Sequence, residues 1–398
     1  MMIILINKLK QTILSFFKAI PLMDRWLIGQ LLPPMFFAMG AFTVVSLSVG
    51  IMFDLVRKIV EFGLPLQVAF KILILKLPGF LVLSFPMSML LSTLLAYGKL
   101  SSNSELLALK SLGITNKRTV FPAIILSIIM TVITFTFNDS IVPISNRIAE
   151  STLRSSLGKT ISSEEGKHIM FSRYGSQFDP SNNQISKSQE NLTHIFYAKF
   201  FRNNMMEQVT LLDFSQIGYE QILKAEKAKY NQVENLWDFF NGRLMVMKEN
   251  GETSTINFST YQFPLGEGPQ ELARIPSDAN DMTVSQALNA EALYKKAGNT
   301  KESRRMRVRI QEKFTLPSAC LVFGLIGSSF GIRANSRSSK SQGFGLSVLM
   351  IFGYYVLSFF SSSLGVKGIL NPFLAAWLPV FLSIWIGIYL LTRAGKLK

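Results

Sequence analysis

The chain holds one cysteine, Cys320, and two histidines, His168 and His194. A lone thiol excludes an internal disulfide, and two histidines without ligand spacing around them give no framework for a metal. No Ser/His/Asp, Cys/His or paired-carboxylate arrangement suggests bond chemistry. The stretch LRSSLGKT ends in Gly158-Lys159-Thr160 like a phosphate-binding loop, but Leu153 stands where the first glycine of that motif belongs, so a nucleotide site is rejected. Acidic residues are also few, 25 against 41 Lys and Arg, for a formal net charge of +16. From about 139 to 313 the chain lacks any apolar run long enough to cross a bilayer.

Outside that stretch, long apolar runs dominate. The chain is 48% hydrophobic, and the apolar residues gather into six blocks, about 26–53, 72–97, 119–138, 314–332, 343–366 and 369–392. Each is near the roughly 20 residues that a transmembrane helix needs. The expected fold is a membrane α-helical bundle of six transmembrane helices with a domain inserted after the third. The N-terminal segment spaces Ile6, Leu9, Ile13, Phe16 and Ile20 as one helical face, interrupted by Lys8, Lys10 and Lys18. It reads as a retained amphipathic helix on the inner surface rather than a cleaved signal.

Lys and Arg beside the spans set the orientation. An inside N-terminus collects Lys8, Lys10, Lys18, Arg25, Lys99, Lys110, Lys117, Arg118, Arg333, Arg337, Lys340, Arg393, Lys396 and Lys398 on the inner side. Both termini are then cytoplasmic, and the inserted domain, with most of the acidic residues, is periplasmic in a double-membrane cell. Its segments HIMFSRYG, NLTHIFYAKFF, EQVTLLDFSQ, ILKAEKAKYNQ, LWDFFNGRLMVMKENG and STINFSTYQF are short and separated by turn residues, as in a β-sandwich or jelly roll. Trp237, Phe239, Leu244 and Val246 follow period two around an expected turn at Asn241-Gly242. From GPQELARIPSDANDMTVSQAL onward the chain turns helical. The domains expected are 1–138 (N-terminal helix, spans one to three and an inner-loop helix within 99–117), 139–290 (β domain) and 291–398 (a basic connecting helix and spans four to six).

The segment KESRRMRVRIQEKF, 301–314, carries six basic residues and two acidic ones at the outer mouth of the fourth span. On a helix, Glu302 and Glu312 share a face with Arg305 and Arg309, leaving Arg304, Arg307 and Lys313 unmatched. Arg57 and Lys58 follow the first span, Lys71 and Lys76 enter the second, and Arg147 and Arg154 follow the third. Such a rim either snorkels to lipid headgroups or binds an anionic, phosphate-bearing ligand, which arginine grips bidentately. In the inner loop GKLSSNSELLALKSLGITNKRTVFP, Ser104 caps and Gly113 ends a short helix whose face joins Glu105, Leu109 and Leu112. It either docks into a groove of a cytoplasmic partner or rests on lipid. Gly327 and Gly331 form a small-xxx-small pattern for close helix packing.

Six spans with a β insert after the third, together with FPMSMLLSTLLAYGKL, SELLALKSLGI, LPSACLVFGLIGSSFGIR and LNPFLAAWLPVFL, resemble the LptF/LptG (YjgP/YjgQ) permeases of the lipopolysaccharide-export ABC transporter. The resemblance implies two such subunits, as a hetero- or homodimer, on a dimer of an LptB-type ATPase in the cell inner membrane. Lipopolysaccharide would pass through a periplasmic β-jelly-roll domain toward LptC/LptA-type bridge proteins. ATP is bound by the ATPase, so the chain itself needs no cofactor and no metal, is not an enzyme, and has no nucleic-acid partner. The family's ATPase-contacting glutamate maps to Glu105, and its lipid-phosphate ligands to Arg57, Lys58, Arg154, Arg305 and Lys313. Arg304, Arg307 and Arg309 join them on charge grounds. A permease for another anionic lipid or lipoprotein, and a non-transport membrane scaffold, are the competing readings.

Overall fold

The computed structural model describes residues 21–157, 169–174, 178–179, 184–185, 191–202, 204–248, 251–276, 279–333 and 340–394. The N-terminal amphipathic segment and Gly158-Lys159-Thr160 lie outside these residues. In chain order, α1 (Leu22–Leu47) passes through a π-helical turn, Ser48–Met52, into α2 (Phe53–Phe62). Next come α3 (Leu66–Ser102), α4 (Glu105–Ser111) and α5 (Asn116–Thr136), which passes through a second π-helical turn, Phe137–Ile141, into α6 (Val142–Leu157). Strands follow: β1 (Ile169–Tyr174), β2 (Phe178–Asp179), β3 (Gln184–Ile185), β4 (Leu192–Arg202), β5 (Met205–Gln216), β6 (Tyr219–Asn231), β7 (Leu236–Lys248) and β8 (Thr253–Phe263). The chain ends through α7 (Gly268–Arg274), α8 (Val284–Lys296), α9 (Thr300–Arg333), α10 (Lys340–Lys367) and α11 (Pro372–Ala394). Two compact units result, Met1–Leu157 with Val308–Lys398, and Gly158–Arg307.

Among the described residues, six helices are long and apolar enough to cross a membrane, Leu22–Phe62, Leu66–Ser102, Asn116–Leu153, Thr300–Ile332, Phe344–Lys367 and Pro372–Arg393. The first four outrun their apolar blocks: the first span runs on to Phe62, the second covers Leu66–Ser102, the third helix reaches Leu157, and the fourth begins at Thr300. Hydropathy marks only the part that lipid selects, whereas backbone hydrogen bonding carries a helix onward through polar residues. The fourth span is the core helix, with 72% of its apolar window buried against 17% for the first and fifth. Small residues let it approach its neighbours. A Cβ on Gly327 would meet Thr93 Oγ1 and lie 2.8 Å from the Leu90 carbonyl oxygen, and one on Gly331 would lie 2.6 Å from Tyr97 Cβ. Gly324 lies as closely against Ser127 of the third span. Hydroxyls add bonds between spans, as apolar surroundings require: Ser92 Oγ donates to the Leu31 carbonyl (2.7 Å) and Tyr97 Oη to that of Thr119 (2.8 Å).

The other unit contains the expected β domain. Its main strands run in the order β1-β4-β5-β6-β7-β8, antiparallel, while β2 and β3 form a minor hairpin beside them. From β4 onward the connections are hairpins between consecutive strands, with no Greek-key crossover among the described ones. Trp237 anchors the core at 1% exposure, against Phe196 and Tyr230, and its Nε1 donates to the Gly266 carbonyl at 2.7 Å. Burying such a ring contributes roughly 3 kcal/mol.

The expected turn at Asn241-Gly242 is not a turn. β7 runs unbroken through it, and Asn241 takes a left-handed φ of 50° inside the strand. The ladder between β4 and β5 skips Lys199 and Gln208 while keeping its register on both sides; β5 and β6 skip Gln208 and Glu226, β6 and β7 skip Glu226 and Asn241, and β7 and β8 skip Asn241 and Ser259. The skipped residues form a single straight row, and two of them, Gln208 and Asn241, take left-handed φ values. This crease shifts the alternation by one: Leu223 and Ala225 are buried before it and Ala228 and Tyr230 after it. That shift is why period two looked imperfect in the sequence. Gly242 is required beside the crease, because a Cβ there would strike the Lys224 carbonyl oxygen and lie 2.5 Å from the Phe258 ring.

Candidate functional site

The short helix α4 starts at Glu105, as the sequence suggests, but Ser104 does not cap it. Ser104 sits at a left-handed φ of 61° and its hydroxyl makes no capping bond. Instead Asn103 Nδ2 donates to Glu105 Oε1 at 2.9 Å, holding the carboxylate at the first turn, where the helix dipole favours it. The far end closes at Gly113, φ 82°, with Gly113 N–H donating to the Lys110 carbonyl and Ile114 N–H to that of Leu109. The apolar residues divide differently from expectation. Leu106 is buried and Leu109 packs partly against the same core, whereas Leu112 and Leu107 are exposed, at 77% and 68%. Leu107 was missed because a one-face reading of a seven-residue helix cannot say which face the bundle covers.

Beside α4 the starts of the first and third spans are tied together. Arg118 donates bidentately to Asp24, Nη1 to Oδ1 at 2.6 Å and Nη2 to Oδ2 at 2.9 Å. The Asp24 side chain is 6% exposed and that of Arg118 39%. Nothing in the sequence spacing links these residues, which lie 94 positions apart.

The basic groups are largely matched by carboxylates within each unit. Arg57 pairs with Glu61 (3.7 Å) and Lys58 with Asp54 (2.7 Å) along α2. On α9, Arg305 pairs with Glu302 (3.4 Å) and Arg309 with Glu312 (2.6 Å), the spacings expected from the sequence. Arg307, expected to be unmatched, is not: its Nε donates to Glu291 at 2.7 Å, because α8 folds back beside the start of α9. Glu291 also accepts from Ser303 Oγ at 3.0 Å. Burial pushes the Glu291 carboxyl up, but the Arg307 and Ser303 hydrogen bonds and the charges of Arg307 and Lys295 outweigh it, so it titrates below the usual carboxylate range.

Lys313 points inward. It is 4% exposed, its Nζ donates to the Asn138 carbonyl at 3.1 Å, and Asn138 Nδ2 donates to the Lys313 carbonyl at 3.4 Å. Asn138 lies in the second π-helical turn, where the wider backbone spacing loosens the regular ladder. Arg304 is half-buried, Arg147 and Lys71 are exposed, and Lys76 is half-buried. Arg154 lies on α6, and its side chain is outside the description. No group of three or more His, Cys, Asp or Glu that could hold a metal occurs among the described residues.

The family model for the lipopolysaccharide export system permease LptF/LptG matches residues 25–393, which takes in all six spans, α4, the β unit and the basic stretch. The chain belongs to the LptF/LptG family. No individual curated protein matches it. As an LptF/LptG permease it is a transporter component of the inner membrane, and membership implies in general an assembly of permease subunits with an ATPase.

Proposed function

We propose that this chain is one of two permease subunits of an ATP-driven exporter that draws lipopolysaccharide out of the inner membrane and passes it to LptC/LptA-type proteins of a periplasmic bridge. The LptF/LptG match over residues 25–393 carries the reading. Both termini are then cytoplasmic and the β unit periplasmic, in accord with the positive-inside bias. ATP is bound and hydrolysed by an LptB-type dimer, so the permease needs no cofactor of its own. Its coupling element is α4, with Glu105 as the charged contact, Leu112 and Leu107 as the exposed apolar contacts, Leu109 as the anchor and Gly113 as the closing turn. The second subunit, a copy or a relative, covers outward apolar residues of the first and fifth spans such as Phe37, Val44, Phe352 and Phe359.

Acyl chains contribute about 0.8 kcal/mol per buried CH₂, and the cationic rim holds the phosphates. The lipid-phosphate ligands of this reading are Arg57, Lys58, Arg154, Arg304, Arg305, Arg307, Arg309 and Lys313. Exposed ion pairs such as Arg305 with Glu302 are worth about 0–1 kcal/mol, so a phosphate can displace the carboxylate. Arg307 is held more firmly by the mostly buried Glu291, and Lys313 would have to release the Asn138 carbonyl. ATP-driven closure must weaken both the apolar and the ionic grip for the lipid to leave.

Two experiments test this. In a complex reconstituted with the ATPase, Glu105→Ala and Glu105→Lys should abolish lipid-stimulated ATP hydrolysis while assembly persists; parent-like hydrolysis would remove Glu105 as the coupling contact, and a parent complex that moves no lipid would favour a scaffold. Photocrosslinkers at positions 57, 305 and 309 should capture a phosphorylated glycolipid. Capture of another lipid would change the cargo.

A further inference from the structure

On the α4 side, polar contacts join the first three spans pairwise. Asp24 of the first span accepts both bonds of the Arg118 fork of the third, at 2.6 and 2.9 Å. Tyr97 Oη of the second span donates to the Thr119 carbonyl of the third at 2.8 Å, and Ser92 Oγ of the second to the Leu31 carbonyl of the first at 2.7 Å. Each pair of spans thus has its own tie. Leu106 of α4 is buried in the apolar cluster that the three spans share, with Leu27, Tyr97 and Val120.

The chain runs from α4 to Arg118 without slack. Ile114 N–H donates to the Leu109 carbonyl where α4 closes, and Thr115 then caps α5, its carbonyl and Oγ1 accepting from the Arg118 N–H at 3.0 and 3.4 Å. The first span has no such backbone link to α4, and its neighbours cover it lightly. One tie at Leu31 would leave it free to pivot about that point. The Asp24 pair lies seven residues nearer the start of the helix (24 against 31), about 10 Å away, and removes that freedom. As a source of stability the pair is ordinary, because apolar residues of the same volume do as well in place of a buried ion pair. As a source of orientation it is not, since two parallel N–H···O bonds fix an angle as well as a distance.

We propose that Asp24 and Arg118 are positioning residues that make the first span move with α4 when the ATPase displaces it. The proposal deepens, and rests on, the reading of α4 as the coupling element. Displacing α4 carries the second and third spans through the chain itself, and the first through the guanidinium–carboxylate pair. Without the pair, α4 still docks, ATP is still hydrolysed and lipid still loads, but the first span lags and each cycle moves less lipid.

The test reconstitutes the complex with its ATPase in vesicles containing lipopolysaccharide. It measures ATP hydrolysed, lipopolysaccharide handed to a soluble LptA-type acceptor, and lipopolysaccharide retained by the complex without ATP. Asp24→Asn with Arg118→Met should hydrolyse ATP and retain lipid like the parent, but hand over about fivefold less lipid per ATP. Asp24→Asn alone, which keeps one acceptor, and Arg118→Lys, which keeps the charge without the fork, should fall between. The double variant separates this from a merely structural role: it strands no charge and should unfold near the parent midpoint, so a structural role predicts a restored yield per ATP. Parent-like yield in the double variant, lost hydrolysis or reduced lipid retention would each overturn the proposal. The coupling reading fails by a different result, parent-like hydrolysis in Glu105→Ala or a parent complex that hands over no lipid, and the proposal then falls with it.

Discussion

Removing Arg118 should harm the protein far more than removing the charge of its partner. The two groups meet in a bidentate pair at 2.6 and 2.9 Å, yet their surroundings are unequal, with the Asp24 side chain 6% exposed and Arg118 39%. Arg118→Met leaves a carboxylate buried without a counter-charge, which costs about 3–5 kcal/mol. Asp24→Asn leaves a guanidinium that water already reaches, so the loss is about 1 kcal/mol. The double variant Asp24→Asn with Arg118→Met strands no charge and should recover most of the Arg118→Met loss. Equilibrium unfolding of the detergent-solubilised protein, followed by tryptophan fluorescence, measures all three. Equal losses for the single variants, or a double variant worse than Arg118→Met, would refute the assignment of the cost to a stranded carboxylate.

Gly327→Ala should destabilise the helical unit by about 1–3 kcal/mol, because the added methyl overlaps Thr93 and the Leu90 carbonyl, while Gly345→Ala, which meets open space, should be neutral or mildly stabilising in the same melt. Trp237→Phe should cost the β unit about 2 kcal/mol by leaving the Gly266 carbonyl without its donor and a gap in the core, detected as a lowered denaturation midpoint. Glu291 titrates lower in the folded protein than in the unfolded chain, so its contribution is complete above the ordinary carboxylate pKa of 4.5 and is lost as pH falls toward the folded value. The stability difference between parent and Glu291→Gln should therefore shrink as melts move from neutral to acidic pH; a difference that is constant with pH would contradict the depressed carboxyl.

Much of the architecture was legible because lipid imposes a one-dimensional rule. A span must be apolar over its length, so the six blocks and the polar insert could be counted, and the strand segments around Phe196, Leu211, Leu223 and Trp237 showed as β. The pairs at spacing three on α9 were legible for the same reason, since helix geometry is local. Arg307 with Glu291 was not, because the partner comes from a separate helix that folds back. Leu109 turned partly toward the core and Leu107, to which the sequence assigned no role, is exposed, because burial of a short helix depends on what lies beneath it. Asn241-Gly242 carried the usual turn signal, yet adjacent strands continued past it, and their ladders outweighed the local preference.

The sequence by itself determined the class of molecule, the number of spans, the inserted β domain and the family, since these rest on composition, period and motif, which a chain carries without its fold. Only the tertiary structure decided which cations have partners, that Asp24 answers Arg118, that Lys313 turns inward, and that neighbouring ladders each skip a pair along one row. Each of these is a meeting of residues distant in sequence, and such meetings are set by how helices and strands pack rather than by any spacing along the chain.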